Sequence, residues 1–238
     1  MKNLDFELKL NRLICKKYYK DFKNCAHRDF TVTYHAGALN TPANSIESIE
    51  VALADGAQIV EFDVTFRPDG TAVIIHSDSP AANEGVLLDD ALAAVAKSKS
   101  CKINLDIKSV ANLPEVDRLV NKHGLFERSF YTGVFDYWVD DVRNNSAIPY
   151  YLNHKITAKE ASDKQAAQAL ADKAKSLGVI GINSNFRTAS ALFAETMHEN
   201  GLSVSLWTAN SAKDIAATAK CNPDNITTKK PHLLKDMM

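Results

Sequence analysis

The sequence lacks an excess of charge of either sign. Its 238 residues include 28 lysines and arginines and 29 aspartates and glutamates, which gives a formal net charge of -1 at pH 7. A protein that binds the backbone of a nucleic acid needs a broad basic surface to neutralise several phosphates. The composition therefore argues against a nucleic-acid partner, and any anion must be recognised by a local group of residues.

Long apolar runs and paired cysteines are also missing. No stretch of about 18 apolar residues occurs, which argues against a transmembrane segment. Met1 leads into a charged segment rather than the apolar core of a signal peptide, so the sequence predicts a cytoplasmic protein unless a signal has been removed. The cysteines form no CxxC pair and predict free thiols: Cys15, Cys25, Cys101 and Cys221. Nothing in the sequence predicts the oligomeric state.

From residue 30 onward, apolar β-rich runs alternate with longer segments of helical period, which is typical of a parallel α/β fold. The predicted strands are 30–36, 58–65, 102–108, 129–135, 149–154, 178–183, 202–208 and 225–228. The predicted helices lie near 45–56, 86–98, 113–123, 136–145, 159–177, 188–200 and 211–220. This succession favours a TIM-type (β/α)8 barrel over an open doubly wound sheet, which is the alternative. Residues 71–77 predict a short hairpin excursion after the second strand.

The barrel is expected to occupy residues 30–238 as a single domain, because one α/β barrel commonly needs a chain of this length. Residues 1–29 place apolar side chains on one broad helical face and many lysines on the other. This pattern predicts an N-terminal helical segment packed on the barrel. A helix that binds a membrane surface or a partner is the alternative.

Two acids and a histidine converge within residues 61–76. Glu61 and Asp63 lie two residues apart on a predicted strand, so both carboxylates point to the same face. Turn-forming residues at 67–70 then fold a hairpin that is expected to place His76 opposite Asp63. Burial of two like charges is costly unless a cation or a base shares the site, so this segment predicts chemistry.

Other reactive side chains are predicted at strand ends, which a barrel gathers on its C-terminal face. His35 closes the first strand and is a candidate for proton transfer, although a lone histidine is more often structural. Asp106 and Lys108 repeat the two-residue spacing on the third strand. They predict either a salt bridge at the edge of the core or an acid ligand beside an anion-binding lysine. Trp207, late in the seventh strand, predicts either packing or an apolar wall for an alcohol or a choline-like group.

Glu61, Asp63 and Asp106 together offer only oxygen ligands. Such a set favours Mg²⁺ or Ca²⁺ over zinc, which usually takes nitrogen or sulfur ligands. The sequence therefore predicts one divalent cation, either Mg²⁺ or Ca²⁺, held by these three acids.

Several short motifs, taken in order, resemble the glycerophosphodiester phosphodiesterase family. They are His35-x-Gly37, Pro42-x-Asn44-Ser45, Glu61-x-Asp63-Val64, Asp69-Gly70, Val73-x-x-His76-x-Asp78, Asp106-x-Lys108 and Trp207-Thr208-x-Asn210. The resemblance implies a TIM-type barrel that hydrolyses a small phosphodiester, such as a deacylated phospholipid headgroup of lipid metabolism, with a divalent cation. By position it implies these roles: His35 and His76 as the acid/base pair, Glu61, Asp63 and Asp106 as metal ligands, and Lys108 as a phosphate contact.

Three positions depart from the family's pattern. Ala36 stands where the family usually has an arginine, Ala43 replaces a glutamate that is commonly a metal ligand, and Asp106 is one methylene group shorter than the usual glutamate. These departures give partial similarity to the related sphingomyelinase D and phospholipase D branch, which implies phosphoryl transfer to a neighbouring hydroxyl and a cyclic phosphate. A non-catalytic barrel that binds an anionic ligand or a protein partner is the remaining alternative.

Overall fold

The computed structural model of the protein describes residues 29–237 together with Tyr18 and Phe22. Most of the predicted N-terminal helical segment therefore lies outside the described residues, and its packing on the barrel stays a prediction. Among the helices described, none has the length and apolar character needed to cross a membrane.

Eight parallel strands form a closed barrel, as the sequence predicts. They are β1 (Thr31–Tyr34), β2 (Ile59–Phe66), β5 (Lys102–Ile107), β6 (Ser129–Val134), β7 (Tyr150–Asn153), β8 (Gly181–Asn185), β9 (Ser203–Trp207) and β10 (Asn225–Thr228). The barrel closes because β1 pairs with both of its ends: Tyr34 aligns with Val60 of β2 and with Thr228 of β10. The C-terminal ends of all eight strands thus meet on one face.

The predicted hairpin excursion is present and is larger than expected. The strands β3 (Ala72–Ile74) and β4 (Val86–Leu87) extend the sheet as antiparallel neighbours of β2. Gly70 takes a φ of 85° at the turn, a conformation that favours glycine. The Arg67 guanidinium donates to the backbone carbonyl of Gly85 at 2.8 Å, so it fixes the far end of the excursion against the turn.

Helices cover the outside of the barrel. They are α1 (Ile46–Ala54), α2 (Leu88–Ala96), α3 (Leu113–Lys122), α4 (Val139–Asn145), α5 (Ala158–Ser162), α6 (Lys164–Ser176), α7 (Ala191–Glu199), α8 (Ala212–Ala219) and α9 (Pro231–Met237). The single helix predicted over 159–177 is divided, because Asp163 adopts an extended backbone and caps α6 by accepting from the Ala166 N–H. The sequence did not predict α9.

Alternation along β2 and β5 separates the core from the barrel interior. The outward side chains are apolar and buried: Val60, Phe62, Val64, Ile103, Leu105 and Ile107. The inward side chains between them are polar: Glu61, Asp63, Asn104 and Asp106. The outward set packs beneath the helices, so hydrophobic burial holds the strands in a register that points the acids into the barrel.

Asp55, just after α1, ties the start of the barrel to its last helix. Its carboxylate accepts from the Tyr34 hydroxyl at 2.8 Å and lies 2.9 Å from the Lys235 Nζ. Partial burial alone would raise the pKa of Asp55, but the bonds from Lys235 and Tyr34 outweigh it and hold the pKa below the ordinary 3.8. The charged form of Asp55 therefore stabilises the folded chain.

We expect Asp55→Asn to lower the free energy of unfolding by roughly 1 kcal/mol at neutral pH. Because the folded pKa lies below the unfolded one, this contribution is complete above the unfolded pKa and is lost as the pH falls through the folded pKa. Urea unfolding of both proteins across pH measures it. Glu195→Gln, on the exposed face of α7, is the control. A difference that persists undiminished in acid would contradict the assignment.

Candidate active site

Strand register brings the three predicted acid ligands together. Glu61 aligns with Asn104, and Asp63 aligns with Asp106, on neighbouring strands β2 and β5. One carboxylate oxygen from each of Glu61, Asp63 and Asp106 lies within 4.8 Å of the other two. Glu61 and Asp63 are buried and Asp106 is half-buried, so the cluster opens toward solvent on the Asp106 side.

Neutral donors orient each acid. The Ala36 N–H donates to Glu61 Oε2 at 2.7 Å. Asn44 forms a reciprocal pair with Asp63: its Nδ2 donates to Oδ2 at 2.7 Å, and its Oδ1 accepts from the Asp63 N–H at 2.9 Å. On the next strand, the Thr132 hydroxyl lies 2.6 Å from Asp106 Oδ1. The carboxylates are therefore held in place without full neutralisation.

Lys108 is the cation nearest to the acids. Its Nζ lies 2.9 Å from Asp63 Oδ1 and also forms a short ion pair with Asp106. Burial alone would lower the pKa of Lys108, but the two acids outweigh it and raise the pKa. The salt bridge predicted as one interpretation of this strand is present, and it ties Lys108 to the acid cluster.

The charges in this cluster do not balance. Burial, followed by repulsion from Asp106 and Asp63, raises the pKa of Glu61 well above its ordinary value. Burial would also raise the pKa of Asp63, but Lys108 and Asn44 lower it overall. Three acids thus share one lysine, and the raised pKa of Glu61 reflects too little positive charge nearby to keep all three ionised, so a further cation would relieve the repulsion.

The two histidines flank the acids from opposite elements. His35 follows β1, where its backbone N–H donates to the Thr228 carbonyl at 3.0 Å. Its Nδ1 lies 3.2 Å from the Ala36 carbonyl and 3.7 Å from Glu61 Oε2, and its side chain is 28% exposed. Burial lowers the pKa of His35.

His76 reaches Asp63 by a different route from the one predicted. The hairpin register places Ile75 opposite Asp63, because the Ile75 N–H donates to the Asp63 carbonyl at 3.0 Å. His76 is therefore one residue past that position, beyond the end of β3. Its Nδ1 still lies 3.2 Å from Asp63 Oδ1, while the side chain is 78% exposed. The prediction of proximity holds although the register differs.

A cavity of about 530 Å³ opens above these groups. Every predicted site residue lines it: His35, Glu61, Asp63, His76, Asp106, Lys108 and Trp207. Other lining residues were missed by the sequence analysis, including Asn104, Thr132, Asn153, Phe135, Tyr137 and Trp138. Phe135, Tyr137 and Trp138 could have been found from the sequence. They come at the end of a predicted strand or just after it, and the active site of a barrel lies at the C-terminal ends of its strands.

Local geometry shows the surroundings of two of the positions that depart from the family's pattern, Ala36 and Ala43. Ala36 is buried and contributes its backbone N–H to Glu61. Gly37, with a φ of 79°, brings the following loop so close that an added Cβ would lie 3.3 Å from the Ala43 Cβ. Asn44, the next residue, then faces Asp63 with a neutral amide. This loop therefore orients an existing acid instead of adding a fourth one.

Comparisons with known proteins address the predicted family. Residues 35–86 match the model of the Glycerophosphoryl diester phosphodiesterase family, a segment that includes both histidines and two of the acids. The predicted resemblance to this family is confirmed over this segment, which is 52 of the 238 residues. Members of this family are phosphoric diester hydrolases, so the match supports the predicted enzyme class. A comparison with curated proteins finds no significant match to this sequence.

Solved glycerophosphodiester phosphodiesterases share the fold. One from Parabacteroides distasonis is 19% identical with a TM-score of 0.66, covering 88% of this chain and 97% of its own. One from Thermotoga maritima is 15% identical with a TM-score of 0.68, covering 89% and 100%. An Oleispira antarctica phosphodiesterase, in complex with the product sn-glycerol-3-phosphate, is 15% identical with a TM-score of 0.68, covering 87% and 96%. These likenesses confirm the barrel.

If the acid cluster accepts a divalent cation, adding Mg²⁺ or Ca²⁺ will raise the Tm of protein first treated with a chelator. At a concentration about 100 times the Kd, the expected rise is about 5–10 °C for a chain of this size. Glu61→Gln should remove most of the rise, because it deletes a ligand charge while an amide oxygen can still accept from Ala36. Thermal unfolding with and without cation measures it.

Glu115→Gln is the matched control, because Glu115 pairs with Arg118 on the surface of α3. An equal rise in the wild type and in Glu61→Gln would place the cation elsewhere. No rise with either cation would contradict a metal site in this cluster.

Proposed function

We propose that the chain is a metal-dependent phosphodiesterase that cleaves a glycerophosphodiester, or a related small phosphodiester, to an alcohol and a phosphomonoester. One observation carries the proposal: three inward acids within 4.8 Å of one another lie beneath a cavity lined by two histidines. Two of the acids and both histidines fall within the segment matched by the family. A binding protein would not need this combination of charges and proton carriers.

The donor set fits a hard divalent cation. Glu61, Asp63 and Asp106 supply only oxygen, and the charge they leave beyond Lys108 suits a doubly positive ion. When bound, Mg²⁺ or Ca²⁺ would polarise a phosphoryl oxygen and offset charge in the transition state. The choice between Mg²⁺ and Ca²⁺ stays open, because both accept carboxylate oxygens.

Lys108 and Trp207 are proposed to hold the substrate. The Lys108 ammonium, anchored by Asp63 and Asp106, lines the cavity and offers positive charge to a phosphoryl oxygen. Trp207, the last residue of β9, lies across the same cavity and is partly exposed. It offers an apolar wall to an alcohol group.

The two histidines are proposed to move the protons. One removes a proton from the attacking hydroxyl as the new P–O bond forms, and the other protonates the departing alkoxide as the old P–O bond breaks. If His35 Nδ1–H donates to the Ala36 carbonyl, then its Nε2 remains available for this transfer. Asp63 Oδ1 lies 3.2 Å from His76 Nδ1 and would orient its ring.

The attacking hydroxyl decides the product. Attack by water gives an open phosphomonoester, whereas attack by a neighbouring substrate hydroxyl gives a cyclic phosphate. The sn-glycerol-3-phosphate bound to the Oleispira antarctica phosphodiesterase favours the open product here. We also propose a cytoplasmic location and a role in the breakdown of phospholipid headgroups.

Phosphorus NMR of a glycerophosphodiester, incubated with the protein and either Mg²⁺ or Ca²⁺, tests the proposal. We expect the diester signal to be replaced by that of a phosphomonoester, or of a cyclic phosphate if the substrate attacks itself. A chelator should stop the reaction, and fresh cation should restore it. Binding without turnover across a panel of diesters would favour the non-catalytic barrel instead.

Substitution of either His35 or His76 by alanine should lower kcat by roughly 100-fold or more, because each removes a proton carrier. His198→Ala is the matched control, since His198 pairs with Asp224 away from the cavity. Initial rates of folded variants, checked by circular dichroism, measure the effect. Near-normal turnover by a folded His35 or His76 variant would reject its assigned role.

A further inference from the structure

Three aromatic side chains stand together at the mouth of the cavity. Phe135 and Tyr137 stack with ring centroids 5.6 Å apart and planes 7° from parallel. Trp138 meets them edge to face, with centroids 5.3 Å from Tyr137 and 6.4 Å from Phe135. We call Phe135, Tyr137 and Trp138 the aromatic ledge.

The aromatic ledge is open to solvent. Phe135 is 41% exposed and Tyr137 is 70% exposed, whereas Trp138 packs partly against the core. A contiguous exposed apolar patch usually marks a binding site. All three residues line the same cavity as the acid cluster, so the ligand of that cavity is the natural occupant of the ledge.

Strand register places the aromatic ledge above the acids. Asp106 aligns with Thr132, and Phe135 follows Thr132 by three residues. β6 is irregular at Gly133, which takes a φ of 80°, and it ends at Val134, so Phe135 lies beyond the strand end and nearer the mouth than Thr132. Asn104 aligns with Glu61 deeper in the barrel and is buried. The cavity thus changes from polar side chains at its floor, where Asn104 lies level with Glu61, to aromatic side chains at its mouth.

We propose that the aromatic ledge is a subsite for an apolar ester arm, so that the substrate is an amphipathic phosphodiester with an alkyl or acyl chain on its outer arm. This inference rests on the proposed function, because it places the phosphate at the acid cluster. The outer arm then runs past the ledge toward solvent. A short polyol arm would remain below the ledge and leave its rings exposed.

Local charge favours an apolar arm over a cationic one. Asp136, which lies between Phe135 and Tyr137 in sequence, is ion-paired with Lys173 at 2.5 Å. Its charge is therefore already balanced by the protein. Phe135 and Tyr137 are stacked, so each ring covers one face of the other. The surface that the pair exposes to solvent is mainly apolar.

A homologous series tests the inference: glycerophosphodiesters whose second alcohol is ethanol, butanol, hexanol or octanol, each used below its micelle concentration. We expect kcat/KM of the wild type to rise with chain length, by up to about fourfold for each methylene group buried on the ledge. The gain should appear in KM, because the chain contacts the ledge before and during the reaction.

Variants of the aromatic ledge show whether the ledge causes the rise of kcat/KM with chain length. Tyr137→Ser and Phe135→Ser should flatten the dependence on chain length while turnover of the ethanol diester persists. Tyr137→Phe should keep the dependence, because it retains the ring. Ile180→Ser is the matched control, since Ile180 is an exposed apolar residue at the opposite end of the barrel, just before β8 begins.

Each outcome decides the matter. Turnover that is independent of chain length in the wild type, or a dependence that survives both serine variants, overturns the inference and leaves the phosphodiesterase standing. Variants that lose binding to phospholipid vesicles but keep the chain-length dependence would make the ledge a membrane contact, which also overturns it. No turnover of any diester with either cation overturns the proposed function, and this inference with it.

Discussion

The unbalanced negative charge inside the barrel is the constraint on which the rest of this structure depends. Three acids point inward from adjacent strands: Glu61, Asp63 and Asp106. Lys108 neutralises only part of their charge. Buried carboxylates at such distances repel one another unless they are protonated or paired with a cation. The unfavourable free energy of this arrangement is offset by the apolar contacts that the outward faces of the same strands make.

Neutral groups complete the site without removing its charge. The Ala36 N–H, the Asn44 amide and the Thr132 hydroxyl each bond one acid, so the carboxylates are fixed in direction. Preorganised acids of this kind can receive an ion with little rearrangement, which is what catalysis by electrostatic stabilisation requires. In the proposed function and the inferred subsite, phosphate chemistry at the acids and an apolar contact at the mouth are separate tasks of one cavity.

Much of the fold could be predicted because its signals are local. The alternation of inward and outward side chains along a strand follows from burial of the outward ones. The order of the strands in the barrel then follows because each strand pairs in parallel with the next one along the chain. The end of α5 was missed, although Asp163 carries the signal of a helix cap. The pairing of His76 with Asp63 was predicted one residue out of register. The sequence shows that residues 67–70 form a turn, but it does not fix which residues of the two strands face each other.

Side-chain partners across the barrel were harder to predict. Asn44 lies just before the helix predicted near 45–56, and only the folded loop after β1 shows that it faces Asp63. The aromatic ledge was hidden by a helix predicted from residue 136, since residues 136–138 form a separate turn that leaves Tyr137 exposed. Sequence spacing identifies residues that share a strand face, whereas contacts between loops require the folded chain.

Anomalous diffraction from crystals grown with Mn²⁺, a stand-in for Mg²⁺, tests most directly whether the acids hold a cation. The account predicts one strong peak within about 2.0–2.6 Å of oxygens from Glu61, Asp63 and Asp106. A cluster that shows no peak, with Lys108 still bridging Asp63 and Asp106 at saturating metal, would contradict it.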